Sequence, residues 1–427
     1  MDNIIIAFDF GASNIRTVAA EVLSADKIKI LSEETKKADG IRNGVIGQPS
    51  GTAFSVSTLM KEVNNSAGLR VPVRHFSFAL SGKGMRIVEA SIEKRLNKSK
   101  PVTDVLIDQL AEECEKSYRK QGKLVYDTIP VIYEVDEREY ENPEGQKGSY
   151  IVGHYHLVVG SEEIKLQYDK LMERVAHCII EFMPLAAEAF SIAVTTAEER
   201  RKGSAVINLG DSSTILAIYE NEILTGLLVV PLGGRTITAD IEELGITAEY
   251  AEKLKCRRGL AMEAGVDQVV NIQVPAREPG APPIFVKNDF LAMIIEARLD
   301  EIMSPVFEML ESYAGRIPGG IILTGGGSEL QLIREYVEDR TGIETRYGDH
   351  SHWLSNDTSP VFANSCYSQL IGTILLTHSN RLHHSPVKNE KSGTKKKSER
   401  TGGIKTLFTQ GFIKFFEDDT NLQGSNG

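Results

Sequence analysis

The sequence predicts an α/β protein of two similar halves, with a small α+β subdomain inserted in the first half and an amphipathic helix near the C-terminal end. Three observations predict this. First, residues 4–18 form an apolar run that reaches Asp9, a tight turn Gly11-Ala12-Ser13-Asn14, and a second apolar run from Ile15. That is the pattern of a β-hairpin with a carboxylate at its mouth. Second, residues 204–218 repeat the pattern, with Asn208 before the turn Gly210-Asp211-Ser212-Ser213. Third, after about residue 379 the chain turns polar and basic and then carries a helical apolar stripe.

The hairpin turns point to anion binding. Gly11 permits φ > 0 and close approach of a ligand to the backbone. Successive N–H groups in such a turn form a nest for an anion. Asp9 suits a hydrated Mg²⁺ held through water, because Mg²⁺ sheds its water reluctantly. One such hairpin is commonplace; the second copy is what carries weight. A third glycine turn, Gly325-Gly326-Gly327-Ser328, follows the apolar run 321–323. Two hairpins facing across a cleft would clamp a polyphosphate, and the third loop would close over a nucleoside.

Composition sets outer bounds. At 427 residues the chain exceeds one core, so two or more domains are expected. It is 41% hydrophobic and 25% charged, ordinary for a globular protein. The formal charge of −11 argues against a general nucleic-acid binder. Cys114, Cys178, Cys256 and Cys366 show neither CxxC nor zinc spacing, as expected of a reduced, cytoplasmic protein. No basic leader precedes the first strand, so no signal peptide is expected. No apolar run approaches the ~20 residues of a membrane-spanning helix.

The elements follow in order. Residues 27–32 continue as a third strand, and 40–46 form a glycine-bracketed loop. Residues 50–67 read as a helix with Ser50 as a possible cap, and 76–80 as a strand ending at Ser81-Gly82-Lys83-Gly84. Residues 85–162 have a different texture: strands at 86–92, 128–135 and 153–159, a helix at 104–120, and the turn Asn142-Pro143-Glu144-Gly145. This is the inserted subdomain. His154 and His156 share a strand face there, but a metal site needs a third ligand and none is visible. Residues 163–182 read as a helix, and 186–196 as a helix linking the two halves. A strand at 222–230 leads to Pro231-Leu232-Gly233-Gly234. The helix at 247–256 carries Glu252 and Lys255 at i and i+3, a spacing that most often means a surface ion pair. A Pro/Gly-rich loop spans 277–283. Residues 288–314 form a long helix, kinked or broken near Pro305. A helix covers 330–340, and a final helix at 360–377 packs under the cleft. His350 and His352 fall in a polar loop and are expected to be solvated. The organisation is thus 1–84, first domain; 85–162, insertion; 163–200, return and linking helix; 201–378, second domain; 379–401, basic linker; 402–417, amphipathic helix.

Taken together, the Gly40-Ile41…Gly44-Val45-Ile46 loop, Ser81-Gly82, Asn142-Pro143…Gly148 and Gly325-Gly326-Gly327, in this order and spacing, resemble the FtsA family of bacterial cell-division proteins. That family belongs to the actin/Hsp70/sugar-kinase ATPase group. The resemblance covers nearly the whole chain and implies an actin-like two-domain ATPase fold. It implies a phosphate-1 loop at Asp9, Gly11, Ala12, Ser13 and Asn14, and a phosphate-2 loop at Asn208, Gly210, Asp211, Ser212 and Ser213. It implies an adenosine loop at Gly325, Gly326 and Gly327. Glu252 and Lys255 would contact the nucleoside, and Gly233 and Gly234 would complete the nucleotide site. The implied cofactors are ATP and Mg²⁺. The implied partners are the tubulin-like FtsZ, bound around 234–284, further copies of the chain through 85–162, other division proteins and the cytoplasmic face of the membrane at the division site.

Three departures bear on turnover. Asn14 stands where the family often carries Lys. Asn208 replaces an Asp. Asp211 and Ser212 interrupt a glycine run. One cation and one metal-ordering carboxylate are lost, and a carboxylate enters the phosphate site. Two unit charges ~4 Å apart at an effective dielectric of ~20 interact by about 4 kcal/mol. ATP binding with weak or absent hydrolysis is expected.

The alternative of an actin-fold sugar or acetate kinase needs a cleft base for the acceptor hydroxyl. Asn208 has lost one candidate, and Asp211 would have to serve. An Hsp70-like chaperone needs a peptide-binding domain that the residues after His378 cannot form. The kinase reading has no use for the tail. Its apolar residues Ile404, Leu407, Phe408, Phe412, Phe415 and Phe416 fall on one helical stripe, flanked by Lys405 and Lys414 and preceded by a lysine-rich linker. Residues 404–417 span about 21 Å as a helix, short of a ~30 Å hydrocarbon core, so the stripe is expected to lie in an anionic membrane interface.

Overall fold

The computed structural model describes residues 3–119, 123–175 and 178–384. The linker expected from 379 begins inside the helix Ser368–His384; its residues beyond 384 and the 402–417 stripe lie outside the described residues.

Two sheets repeat one topology. In the first, strands run in the order Ile179–Ile180, His75–Phe78, Ile4–Phe10, Asn14–Ser24, Lys27–Lys37. The first three are parallel, and the hairpin adds the last two antiparallel. The second sheet begins Thr345–Tyr347, Ile321–Thr324, Ser204–Leu209, Thr214–Glu220, Ile223–Val230, again three parallel strands and two antiparallel ones. The runs 4–10 and 204–209 are nearly all buried, as central strands covered on both faces must be.

Helices Ala186–Val194 and Ser368–His384 lie between the sheets and cross each other. At the crossing a side chain on Gly372 would come within 1.6 Å of the Ala189 carbonyl, so only glycine fits. Phe8, Phe76, Ala189, Phe190, Val206, Leu370 and Ile374 share this central core. A second core under helix Asn288–Glu311 includes Ile207, Leu291, Ile302 and Tyr336. The second sheet also continues outward. Leu228 pairs with Arg86, and strands Arg86–Arg95, Tyr150–Ser161, Lys123–Val135 and Arg138–Tyr140 follow in that order. With helix Asp104–Tyr118 they enclose their own core around Leu110, Tyr133, Ile151 and Tyr155.

Several expectations need correction. The helix expected at 163–182 is Glu162–Met172, and Ile179–Ile180 pairs instead beside His75–Phe78, where β-branched side chains favour a sheet edge. The helix near 50 starts at Pro49, and Ser50 is not its cap; Pro at the first helical position needs no N–H partner. Helix Asn288–Glu311 runs through Pro305 unbroken. Its buried Leu299, Ile302, Met303, Val306 and Leu310 outweigh the lost backbone bond. The final helix starts at Ser368, after short turns at Pro360–Ala363 and Ser365–Tyr367. His350 is fully buried rather than solvated: its Nε2 lies 2.7 Å from the Phe362 carbonyl, and burial lowers its pKa. His154 pairs with Glu134 at 2.9 Å and His156 Nδ1 lies 3.1 Å from the Leu224 carbonyl. Among the described residues no group of three or more His, Cys, Asp or Glu is arranged for a metal.

Candidate functional site

The two hairpin turns face each other over a cavity of about 420 Å³ between the sheets. Asp9, Gly11, Ala12, Ser13 and Asn14 line one wall. Asn208, Gly210, Asp211, Ser212 and Ser213 line the opposite wall, with Gly233, Gly234, Glu252 and Lys255 beside them. Gly325, Gly326 and Gly327 close the end. All the cleft residues singled out from the sequence therefore meet on one surface, although they come from five separate segments.

Each turn explains its glycine, but not through φ > 0. Gly11 and Gly210 have no positive φ. A side chain on Gly11 would sit 2.7 Å from the Asn14 carbonyl, and one on Gly210 would sit 2.7 Å from the Ser213 carbonyl. The need is space inside the turn. Gly325 is different, with φ +84° and a would-be Cβ 2.3 Å from Asn208 Oδ1. Its loop is buttressed from the final helix region. Ser365 Oγ donates to Glu329 Oε1 (2.6 Å) and lies 3.1 Å from Gly325 O, while Thr324 Oγ1 donates to Ser368 Oγ (2.8 Å).

Asp9 is the principal charge of the first wall. Its side chain is only 14% exposed. Gln369 Nε2 donates to Oδ1 at 3.0 Å, and Arg16 lies 3.7 Å from Oδ2. Burial raises its pKa to about 6, and Arg16 only partly offsets this. A buried carboxylate short of positive charge fits a hydrated dication in the cavity.

The second wall carries its own neutralisation. Asp211 Oδ2 lies 2.5 Å from Arg235 Nη2, an ion pair without hydrogen-bond alignment. The same guanidinium donates to the Ala12 carbonyl of the opposite turn at 2.8 Å. Asn43 N–H donates to Ser212 Oγ at 2.9 Å, a second bond across the cleft. Asp211 is thus not the uncompensated carboxylate that the sequence alone implied, because a cation from a neighbouring helix pairs with it.

Gly233 and Gly234 open helix Gly234–Glu242, whose first amides face the second turn. Gly234 N–H donates to Gly210 O at 2.9 Å and Arg235 N–H to Asp211 O at 2.8 Å. A side chain on Gly233 would strike those carbonyls at 2.4 and 2.8 Å. Lys255 Nζ donates to Gly234 O (2.9 Å), Thr238 Oγ1 (2.9 Å) and Glu252 Oε2 (2.7 Å), which occupies all three of its donors. Glu252 has its pKa lowered against the opposing pull of burial, by Lys255 and Thr238. With Lys255 so engaged, Glu252 is the polar group of this pair left to meet a ligand hydroxyl.

Arg16, Gln369 and Arg235 were not legible as site residues. Arg16 had a signal: it is the cross-strand partner of Asp9 in the hairpin register. Gln369 and Arg235 reach the first hairpin from helices more than two hundred residues away.

A family model described as "Cell division protein FtsA" matches residues 205–372. The chain is 28% identical to Cell division protein FtsA of Bacillus subtilis (strain 168) over 344 residues, 78% of this chain and 76% of that one. It is 24% identical to the Borreliella burgdorferi FtsA, covering 95% and 98%, and 23% identical to that of Escherichia coli (strain K12), covering 81% and 84%. Among solved structures, the PilM-PilN type IV pilus biogenesis complex aligns with TM-score 0.61 at 14% identity, covering 88% of this chain and 99% of that one. An MreB of Spiroplasma citri bound to ADP aligns with TM-score 0.55 at 12% identity, covering 90% and 99%. These likenesses show the actin-like ATPase fold.

Proposed function

We propose that this chain is a member of the FtsA cell-division family, to which it is similar, and that it binds ATP with Mg²⁺ in the cleft, self-assembles, and anchors FtsZ filaments to the cytoplasmic face of the membrane, where it recruits later division proteins. One observation carries the nucleotide reading: two like turns, each with its cavity-lining amides, face one another across a single cavity closed by a glycine loop. Ser13 and Asn14 on one side and Ser212 and Ser213 on the other would hold the phosphates, and Gly325–Gly327 the adenosine. Asp9 would hold a hydrated Mg²⁺, which would supply positive charge against the β- and γ-phosphates. Hydrolysis is slow in this reading, because Asn208 offers an amide where a carboxylate would order the metal.

The inserted subdomain, with its own core and its edge strand Arg138–Tyr140, is the proposed self-assembly module. An exposed apolar group supports partner docking on the second half. Val269, Val270, Phe285, Phe290 and Met293 surround the hairpin of Asn271–Val274 and Ile284–Lys287. Among the described residues no helix is long and apolar enough to cross a membrane; the apolar stripe and flanking lysines of 404–416 support attachment through the tail.

Co-sedimentation with anionic liposomes and FtsZ, with and without ATP, tests the whole reading: joint pelleting that depends on ATP is expected. Robust phosphotransfer from ATP to a sugar or acetate in a panel of acceptors would replace it with the kinase alternative.

A further inference from the structure

Three carbonyls of the two facing turns are tied to one short segment. Gly210 O and Asp211 O accept from the backbone N–H groups of Gly234 and Arg235, and Ala12 O accepts from the Arg235 side chain. Across a trans peptide the C=O and the following N–H point in opposite directions. Drawing the Gly210 and Asp211 carbonyls toward residues 234–235 therefore turns the N–H groups of Asp211 and Ser212 the other way. The bond to Ala12 does the same for the N–H of Ser13. Ala12, Ser13, Asp211 and Ser212 line the cavity, while Arg235 stands outside that lining.

We propose that Arg235 is a positioning residue for the polyphosphate of a nucleotide in this cleft. Its guanidinium, held by Asp211, fixes the Ala12–Ser13 peptide so that an amide rather than a carbonyl faces the phosphates, and it joins the two lobes as it does so. The inference rests on the nucleotide reading above. Asn14 brings no positive charge to the first turn, so the direction of that turn's amides carries more of the anion's stabilisation. Asp211 changes role accordingly: it anchors Arg235 instead of repelling the ligand.

The test is competition of ATP, ADP and adenosine against a fluorescent ATP analogue, with Mg²⁺, on the full chain. Arg235→Gln should weaken ATP and ADP about tenfold, the scale of one hydrogen bond to a charged group, and leave adenosine unchanged. Arg235→Lys should recover part of the loss. Asp211→Ala alone should weaken ATP, yet in the Arg235→Gln background it should tighten ATP, because there it removes an unpaired carboxylate. Equal losses for ATP and adenosine, wild-type affinity in Arg235→Gln, or tighter ATP binding by Asp211→Ala alone would each overturn the positioning role while leaving the nucleotide site standing. Failure of the unmodified chain to bind ATP would overturn the nucleotide reading itself, and this role with it.

Discussion

Replacing Asp9 by Asn should stabilise the unliganded protein while impairing its Mg²⁺-dependent binding of nucleotide. Burial raises the Asp9 pKa from 3.8 to about 6. At about 1.4 kcal/mol per pH unit, the ionised carboxylate costs the fold about 3 kcal/mol at neutral pH. That pKa already includes the offset from Arg16 at 3.7 Å, and residual solvent contact at 14% exposure reduces the gain in the variant to about 2 kcal/mol. The pH dependence gives the sign. The folded state binds the Asp9 proton more tightly than the unfolded state, so this group lowers stability as pH rises from about 4 to 6. Above that range the whole cost is present; below 3.8 both states are protonated and it vanishes. Urea unfolding at pH 7, 6, 5 and 4 should therefore show Asp9→Asn more stable at pH 7 and converging on the parent at pH 4. A difference that stays flat with pH, or a variant less stable at pH 7, would refute the claim that Asp9 is held at an electrostatic cost for its ligand.

Two further outcomes follow from the loop and the tail. Gly325→Ala places a methyl group 2.3 Å from Asn208 Oδ1 at φ +84°; it should cost about 1–3 kcal/mol in thermal unfolding and abolish ATP binding, whereas Gly326→Ala, which meets nothing within 4 Å, should unfold like the parent. Phe412→Glu with Phe415→Glu should release the protein from anionic liposomes with ATP affinity and melting temperature unchanged; a matching loss of thermal stability would place these phenylalanines in the folded core.

Legibility divided along physical lines. The hairpin at Asp9 and its copy at Asn208 could be read because strand alternation and turn chemistry act over a few residues. The glycines of all three loops stood out for the same reason. The positive φ expected of Gly11 did not hold, since a crowded turn and a positive φ select the same residue. His350 misled because a polar loop in sequence became a packed turn under Phe362. Pro305 did not break its helix, because a helix with one face buried against a core tolerates a missing bond that an isolated helix would not.

By itself the sequence determined the α/β character, the doubled hairpin and the third glycine turn, all consequences of local periodicity and backbone sterics, while Glu252 and Lys255 entered only through the family resemblance. Only the tertiary structure decided how charge is balanced in the cleft. Arg235 meets Asp211 and Ala12, Gln369 meets Asp9, and Lys255 turns inward to Gly234. Coulombic and hydrogen-bond partners are chosen by distance in space, and for Ala12 and Asp9 that distance is closed by helices joined to them only through the folded core.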